Sequence, residues 1–319
     1  MKVTEHLKKA EPGKPIISFE ILPPVKGKSI ESIYKSLDPL MEFNPSFINV
    51  TYHRSEQTFR KQSDGSFQRV EIRKRPGTVG ICAALMHHYN IDAVPHLICG
   101  GFSKDETENA LIDLNYLGIN NVLALRGDPP KNEKYFQAQK DGHNYAIDLV
   151  KQIDDLNKGI YIEEDLNNAV KTDFCIGVAG YPEKHHESPN PLMDLMYLKN
   201  KIEAGASYIT TQMFFDNKKF EHFLNQLKAE NINCPVIPGL KPITNKKQLS
   251  ILPSIFNVEI PSDLAKALMS CKNEEAEEQV GTEWLIQQSK ELIKLGTPAL
   301  HYYTLGKPHV IYNVVKALL

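Results

Sequence analysis

A carboxylate inside an apolar segment is the residue of this sequence best suited to proton transfer. Glu20 lies in the run Phe19-Glu20-Ile21-Leu22, and Pro23-Pro24 follows directly. Apolar neighbours disfavour the charged form of a carboxyl group, which is the property that a general acid needs near neutral pH. Glu20 is therefore a candidate catalytic acid. The alternative is a strand-end glutamate that reaches solvent or pairs with an arginine.

A second segment combines a cation, a flexible glycine and a carboxylate. The run Arg126-Gly127-Asp128-Pro129-Pro130 follows a short apolar segment. Other apolar segments of this kind carry or precede polar side chains, namely Thr51, Tyr52, His96, Tyr181, Glu183, His185, His186, Gln212, Asp216, His301, Tyr303 and Thr304. Residues of these types predict a ligand site, provided that the fold brings the ends of the segments together.

Common metal and phosphate motifs do not account for these residues. His185-His186-Glu187 resembles a set of metal ligands, but adjacent side chains diverge and the spacing suggests no third ligand, so no metal site is predicted. Gly27-Lys28-Ser29 resembles the end of a Walker loop, yet the first glycine of that motif would fall at Leu22. A nucleotide cofactor would have to be held by loops, helix N-termini and isolated bases such as Lys201.

Eight apolar runs predict the strands that position these side chains. They are continuous rather than alternating and rich in Val, Ile, Phe and Tyr, which is typical of buried parallel strands. The predicted strands are 16–22, 47–52, 94–99, 121–126, 174–181, 208–215, 235–240 and 300–305. Most of these strands are separated by stretches whose apolar residues have helical spacing. For example, Ser103 and Glu106 form a capping box before a predicted helix that ends at Gly118.

The repeated alternation of strand and helix predicts an α/β fold, a closed (β/α)₈ TIM barrel. An open doubly wound sheet is the alternative. In a barrel the carboxyl ends of the strands meet at one rim, where the polar residues above would converge. We expect one catalytic domain over residues 1–319, because no internal repeat or linker marks a boundary.

Three segments exceed a minimal barrel. An extra N-terminal segment precedes the first strand. Residues 53–79 contain Asp64-Gly65, a turn signal that predicts a hairpin insertion, although a solvated basic excursion is the alternative. Its basic residues are Arg54, Arg60, Lys61, Arg69, Arg73, Lys74 and Arg75. Residues 240–300 predict three extra helices between the seventh and eighth strands, one of them over 274–295 with Trp284.

Composition limits the possible partners. The chain has 319 residues, 37 basic and 39 acidic, for a net charge of −2, so we expect neither a nucleic-acid nor a membrane partner. Hydrophobic residues make up 41%, enough for a globular core. The first fifteen residues lack the apolar stretch of a signal peptide, and we therefore expect a cytoplasmic location.

Taken together, these motifs resemble the methylenetetrahydrofolate reductase family in its bacterial catalytic-domain form. The matching segments follow the family's order over nearly the whole chain. They are Phe19-Glu20 with Pro23-Pro24, Asn49-Val50-Thr51-Tyr52, Pro95-His96-Leu97, Ala124-Leu125-Arg126-Gly127-Asp128, Tyr145-Ala146 with Asp148-Leu149-Val150, Ala179-Gly180-Tyr181-Pro182-Glu183 with His185, Ala204-Gly205-Ala206, Thr211-Gln212 with Phe214-Phe215-Asp216, Ile237-Pro238-Gly239 and Tyr303-Thr304-Leu305.

The resemblance implies a flavoprotein oxidoreductase. Such an enzyme reduces 5,10-methylenetetrahydrofolate to 5-methyltetrahydrofolate with NADH or NADPH, by a ping-pong mechanism through FAD, and feeds methyl groups to methionine synthesis. The resemblance makes Glu20 the general acid and gives Asp128 a role in catalysis near the flavin and the pterin. A homo-oligomer is also expected.

The resemblance further implies which residues contact ligands. The cofactor-binding positions are Thr51, Tyr52, His96, Arg126, Gly127, Asp128, Tyr145, Ala146, Tyr181, His185, Asp194 and Lys201. The folate-binding positions are Asp128, Gln212, Gln248 and Lys307.

The sequence departs from the family pattern at a few of its positions. Tyr197 and Asn200 stand where bacterial members have asparagine and arginine, which leaves Lys201 as the main base of that helix. Leu252 replaces a phenylalanine, and Gly306-Lys307 replaces an Asn-Arg pair. Because the chain ends just past the eighth strand's helix, we expect no regulatory domain. A folate-dependent methyltransferase and a folate- or flavin-binding barrel without turnover remain the alternative functions.

Overall fold

Strands and helices alternate along the chain in the predicted order. The computed structural model describes residues 1–129, 133, 135–304 and 306–319; Pro130 and Leu305 of the predicted segments lie outside them. The strands are β1 (Ile16–Ile21), β2 (Phe47–Val50), β3 (Glu56–Lys61), β4 (Phe67–Ile72), β5 (Asp92–Ile98), β6 (Asn121–Leu125), β7 (Cys175–Gly180), β8 (Tyr208–Thr211), β9 (Val236–Ile237), β10 (Gly239–Leu240) and β11 (Ala299–Tyr303). The helices are α1 (Val3–Lys8), α2 (Glu31–Met41), α3 (Thr78–Tyr89), α4 (Lys104–Tyr116), α5 (Ala146–Lys158), α6 (Pro191–Glu203), α7 (Asn217–Ala229), α8 (Gln248–Phe256), α9 (Ser262–Ser270), α10 (Glu274–Lys294) and α11 (Pro308–Lys316).

The parallel strands form a closed barrel. They make up a nine-stranded sheet in the order β10-β11-β1-β2-β5-β6-β7-β8-β9. The two end strands, β9 and β10, are separated in sequence by Pro238 alone and act as one interrupted strand. The barrel closes through this strand, because its first half pairs with β8 and its second half with β11. The (β/α)₈ prediction is confirmed, and the open sheet is excluded.

The predicted strands match the observed ones, but seven of the eight end earlier than predicted. The second prediction extended to residue 52 and the sixth to residue 215, whereas β2 ends at Val50 and β8 at Thr211. The residues beyond these ends therefore lie on loops of the rim. The seventh strand breaks at Pro238, because proline has no backbone N–H to give to the ladder.

The interior of the barrel is closed at the amino ends of the strands by helix α1. Val3 and Leu7 of α1 form one buried cluster with side chains from strands all around the barrel, a set that can meet only across its interior. The backbone N–H of Val3 donates to the side-chain oxygen of Asn121 at the start of β6 (2.8 Å). The predicted N-terminal extension is thus a plug for the barrel, opposite to the rim that carries the polar residues.

Residues 53–79 contain the predicted hairpin. Strands β3 and β4 pair antiparallel with each other and, in the described part of the chain, with no other strand. The turn at Asp64-Gly65 is closed by a bond from the N–H of Gln62 to the carbonyl of Ser66 (2.8 Å), and Gly65 has a φ of +84°. Helix α3 begins at Thr78, so the last residues assigned to the insertion belong to this helix.

The extra length between the seventh and eighth barrel strands forms α8, α9 and α10, as predicted. Leu252, Leu264 and Leu268 of α8 and α9 pack with Met213 and Phe215, which follow β8, in a separate buried cluster. These helices therefore cover the rim beside β8. No helix within the described residues has both the length and the apolar character needed to cross a membrane.

Candidate functional site

Glu20 lies inside the barrel near the carboxyl end of β1, and only 7% of its surface is exposed. Side chains of a strand alternate between its two faces. Asn49, His96 and His301 each lie two residues after a member of the interior cluster, so they point into the barrel one layer nearer to the rim. Glu20 faces this layer, and the strand register places it beside Asn49 and Tyr303.

Two buried histidines contact the carboxylate of Glu20. Its Oε2 atom lies 3.5 Å from Nε2 of His96 and 3.5 Å from Nε2 of His301. Ser18 Oγ is 2.8 Å from Nδ1 of His301, and Asn49 Nδ2 donates to Nε2 of His96 (3.3 Å). Burial lowers the pKa of His96, although the charge of Glu20 opposes this shift. His96 is therefore neutral near pH 7, with Nε2 as a hydrogen-bond acceptor facing the carboxyl group.

Three residues to which the sequence analysis gave no individual role surround this layer, although Tyr303 is among the polar residues predicted near strand ends. The pKa of Tyr303 is raised well above its usual range by burial, and its hydroxyl donates to the carbonyl of Thr211 (2.6 Å). Burial lowers the pKa of Lys241, which follows β10, and the charge of Glu20 opposes this shift. His53 also has a lowered pKa, because it is partly buried and lies near Arg75. The period-two pattern of the strands could have pointed to Tyr303, whereas Lys241 and His53 lie on loops.

A second group of predicted cofactor residues gathers where β6 and β7 end. Arg126 Nη1 pairs with Glu187 (2.5 Å), and the rings of Tyr181 and His185 meet edge to face at 4.8 Å. The backbone N–H of His185 donates to Asp194 (3.2 Å). Burial raises the pKa of Tyr181 and lowers that of His185 to about 4. Both rings are therefore neutral at physiological pH and offer a polar surface next to the cation of Arg126.

Asp128 lies on the exposed rim between the two groups. Its negative charge opposes the lowering of the His53 pKa and adds to the raising of the Tyr181 pKa. The carboxylate therefore lies near both residues. The preceding Gly127 has a φ of +83°, a conformation that glycine adopts without strain. This glycine turns the chain so that Arg126 and Asp128 both reach the site.

Lys201 of α6 lines a cavity of about 510 Å³ together with Tyr181, Asp194 and Tyr197. Its Nζ atom donates to the carbonyl of Ala179 (2.8 Å). Burial lowers the pKa of Lys201 to about 8, and the charge of Asp194 opposes the shift. The cavity is therefore lined by a cation whose charge depends on pH near the physiological range.

The remaining predicted cofactor residues lie on loops that border the rim. Thr51 Oγ1 donates to the carbonyl of Ile21 (3.2 Å). Tyr52 accepts a bond from Arg73 Nη2 on its hydroxyl (2.9 Å). Tyr145 is the N-cap residue of α5, exposed by 62%, and Ala146 is the first residue of that helix.

Among the described residues, the hydrogen bonds of the remaining predicted folate residues lie outside the layer of Glu20. The side-chain oxygen of Gln212 accepts from the N–H of Met213 (2.9 Å), and that of Gln248 accepts from the N–H of Thr244 (2.7 Å). Lys307 pairs with Glu278 of α10 (2.5 Å). Their assignment to folate remains a prediction.

The closed barrel and the buried carboxylate between two histidines at its carboxyl rim define the class of (β/α)₈ barrels with a ligand site at that rim. The family model described as methylenetetrahydrofolate reductase matches residues 3–319. The chain belongs to this family, which confirms the family inferred from its motifs.

Individual relatives agree with this assignment. Methylenetetrahydrofolate reductase (NADH) 1 of Arabidopsis thaliana is 33% identical over 317 residues, which cover 96% of this chain and 49% of that protein. The 5,10-methylenetetrahydrofolate reductase of Pectobacterium carotovorum is 29% identical over 307 residues, 96% of this chain and 91% of that protein. The chain thus spans about half the length of the plant relative and nearly all of the bacterial one.

A solved structure shares the fold. It is an uncharacterized protein from Clostridium thermocellum that binds two copies of 5-methyl-5,6,7,8-tetrahydrofolic acid. Its TM-score is 0.55 at 15% sequence identity, and the match covers 99% of this chain and 97% of that one. At this identity the likeness supports the barrel architecture alone.

Proposed function

We propose that the protein is a flavin-dependent oxidoreductase that reduces 5,10-methylenetetrahydrofolate to 5-methyltetrahydrofolate. NADH or NADPH supplies the electrons, and the two substrates use the site in turn, in a ping-pong mechanism. The observation that carries this proposal is the enclosed carboxyl group of Glu20, at the open rim of a barrel that belongs to this family.

The residues at the rim fit a flavin dinucleotide. Buried polar atoms there lack hydrogen-bond partners among the described residues, including Oδ1 of Asn49 and nitrogen atoms of Arg54 and Arg73. Such atoms indicate that a polar ligand belongs in the site. Arg126 and Lys201 would place positive charge beside it, and Tyr52 and Tyr181 would pack against its rings. FAD would supply hydride transfer between the nucleotide and the folate.

Glu20 would act on the folate. Opening the five-membered ring of the substrate requires a proton on the departing amine nitrogen, and a protonated carboxyl group at Oε2 can donate it. Neutral His96 accepts a hydrogen bond from Asn49 at Nε2 and places no positive charge beside the carboxyl group. Asp128, at the exposed rim, would accept hydrogen bonds from the amino groups of the pterin.

The test uses the purified protein with added FAD. We expect a yellow complex whose flavin absorbance bleaches anaerobically with NADH or NADPH and returns when 5,10-methylenetetrahydrofolate is added. Running both nucleotides in parallel also reveals the preferred reductant. A protein that takes up no FAD would contradict the proposal and favour the methyltransferase. Flavin that bleaches without return would favour a binding barrel that lacks turnover.

A further inference from the structure

Two arginines at the base of the hairpin carry buried nitrogen atoms that have no acceptor among the described residues. Arg54 precedes β3, and Arg73 follows β4. Nε and Nη1 of Arg54 and Nε of Arg73 are buried, and none has a hydrogen-bond partner in the part of the chain that the structure describes. A guanidinium N–H group that has lost water is stabilised only by another acceptor. These atoms therefore point to an acceptor outside the chain.

Arg54 lies against the predicted cofactor site. A Cβ atom at Gly100 would come within 3.3 Å of both Arg54 Nη1 and Phe136 Cε2, so that the bare backbone of Gly100 borders both side chains. The guanidinium of Arg126 packs on the same Phe136 ring, 5.1 Å from the ring centroid. Gly100 thus borders Arg54 of the insertion and the ring of Phe136, on which Arg126 from the end of β6 packs.

Arg73 is held beside another aromatic group of the rim. Its Nη2 atom donates to the hydroxyl of Tyr52, and its guanidinium lies 5.3 Å from the centroid of the same ring. The ring of Phe102 packs on Tyr52 at 5.1 Å. The hairpin base therefore combines guanidinium groups with aromatic surfaces, a combination that suits phosphate groups and flat rings.

Three other cations of this rim have hydrogen-bond partners in the chain. The bonds join Arg126 to Glu187, Lys201 to the carbonyl of Ala179, and Arg75 to the carbonyl of Pro23. Arg54 differs from them because two of its buried nitrogen atoms are unused. Its guanidinium can therefore donate N–H bonds from both of these atoms to an oxyanion outside the chain.

We propose that Arg54 and Arg73 bind the diphosphate of a dinucleotide, so that the base of the insertion forms an anion site at the rim. The inference rests on the proposed function for the class of ligand. FAD and the nicotinamide nucleotides share this diphosphate, and binding measurements separate the two sources. The exposed part of the hairpin is not required for the anion site.

The test compares Arg54→Met with Arg60→Met. Methionine preserves the apolar stem of the side chain at position 54 but removes the guanidinium. Arg60 lies on the exposed part of β3 and serves as the matched control. Titration of the apoprotein with FAD, NADH and NADPH gives the affinities. We expect Arg54→Met to weaken binding of at least one dinucleotide by about tenfold or more, and Arg60→Met to change it by less than about twofold.

Inorganic pyrophosphate provides a readout that does not depend on a complete cofactor. It should raise the melting temperature of the wild-type apoprotein and of Arg60→Met, and have little effect on Arg54→Met. Arg54→Lys keeps the positive charge but loses the planar guanidinium with its several N–H donors, so its loss of affinity should be intermediate. This variant also keeps the test valid if Arg54→Met is poorly folded by circular dichroism.

The outcomes separate the two proposals. Weaker FAD binding by Arg54→Met assigns the site to the flavin, and weaker binding of NADH and NADPH alone assigns it to the reductant. Equal affinities in both methionine variants, or a loss confined to folate, would overturn the anion site. A wild-type protein that binds no flavin but responds to pyrophosphate through Arg54 would refute the proposed function and support the site.

Discussion

The two histidines beside Glu20 have different surroundings. His96 receives a bond from Asn49 and is neutral because burial lowers its pKa. His301 is linked through Nδ1 to Ser18 and is fully buried. Together they hold Oε2 of Glu20 at equal distances of 3.5 Å, so that the carboxyl group keeps one orientation within the barrel. That orientation is what directional proton donation requires.

Glu20→Gln tests the proton donor directly. Glutamine preserves the size of the side chain but has no acidic proton to donate. We expect the rate of folate reduction to fall by about 10²- to 10⁴-fold, while the rate of flavin bleaching by NADH or NADPH changes little. Stopped-flow absorbance measures each half-reaction. Equal losses in both half-reactions would show that Glu20 has another role.

The lowered pKa of Lys201 predicts a pH dependence of cofactor binding. Burial brings this pKa to about 8, so the side chain is a cation below pH 8 and neutral above it. We expect the affinity for FAD to fall between pH 7 and pH 9, by at most about tenfold per pH unit. His185 does not titrate in this interval, because its pKa is lowered to about 4.

Lys201→Arg is the control for this pH effect. Arginine stays charged across the whole interval, so its affinity for FAD should no longer depend on this titration. Fluorescence titrations at pH 7, 8 and 9 measure both proteins. Parallel pH profiles of wild type and variant would contradict a role for Lys201 in binding the cofactor.

At the scale of elements, the loops after the strands carry the site, and the helices anchor these loops. Helix α4 follows β5, and its first turn is closed by a capping box: the N–H of Glu106 donates to Ser103 Oγ (3.1 Å), and the N–H of Ser103 donates to the carboxylate of Glu106 (2.8 Å). This pair of bonds satisfies N–H groups that a helix start leaves unpaired. The sequence predicted this box from residue spacing alone.

Ser103→Ala should weaken the start of α4. The substitution removes the oxygen that accepts from the N–H of Glu106, and loss of such a cap lowers the free energy of unfolding by about 1 kcal/mol. Ser36→Ala is the control, because Ser36 lies within α2, where alanine is a better helix former. Guanidinium unfolding measures both variants. A midpoint for Ser103→Ala that is no lower than that of the control would contradict the role of the cap.

In the molecule as a whole, the barrel can close only if a small residue stands where a large side chain extends across its interior. Gly177 of β7 pairs with Tyr208 of β8, and a Cβ atom at Gly177 would lie 2.2 Å from the buried Tyr208 ring. The Tyr208 side chain fills the interior at this level, and its hydroxyl donates to the carbonyl of Val122 on β6 (3.4 Å). A tight packing of this kind transmits any added volume to several strands.

Gly177→Ala should therefore destabilise the barrel. One added methyl group forces the Tyr208 ring to move, at a cost of about 1–3 kcal/mol in the free energy of unfolding. Gly80→Ala is the matched control, because nothing lies within 4 Å of its Cβ position in helix α3. The control should be neutral or gain up to about 1 kcal/mol. Equal unfolding midpoints for the two variants would refute the proposed packing.

Local pattern was enough to predict the strands and helices of the barrel and the polar residues at the strand ends. Buried parallel strands require continuous apolar runs, and helix caps and glycine stops act within a few residues. These constraints predicted all eight barrel strands and the extra helices in the correct order, together with Glu20 and Arg126 as residues at strand ends. The hairpin was signalled by Asp64-Gly65, because that turn geometry favours glycine.

Tertiary structure decided which of these side chains meet. His301 lies 281 residues from Glu20 in sequence, and the two come together because β11 pairs with β1 when the barrel closes. The buried nitrogen atoms of Arg54, unpaired among the described residues, likewise become visible only when the loop after β2 packs against Gly100. Sequence alone determined the elements, since these depend on neighbours in the chain. The site depended on closure and register, which join residues from opposite ends of the chain.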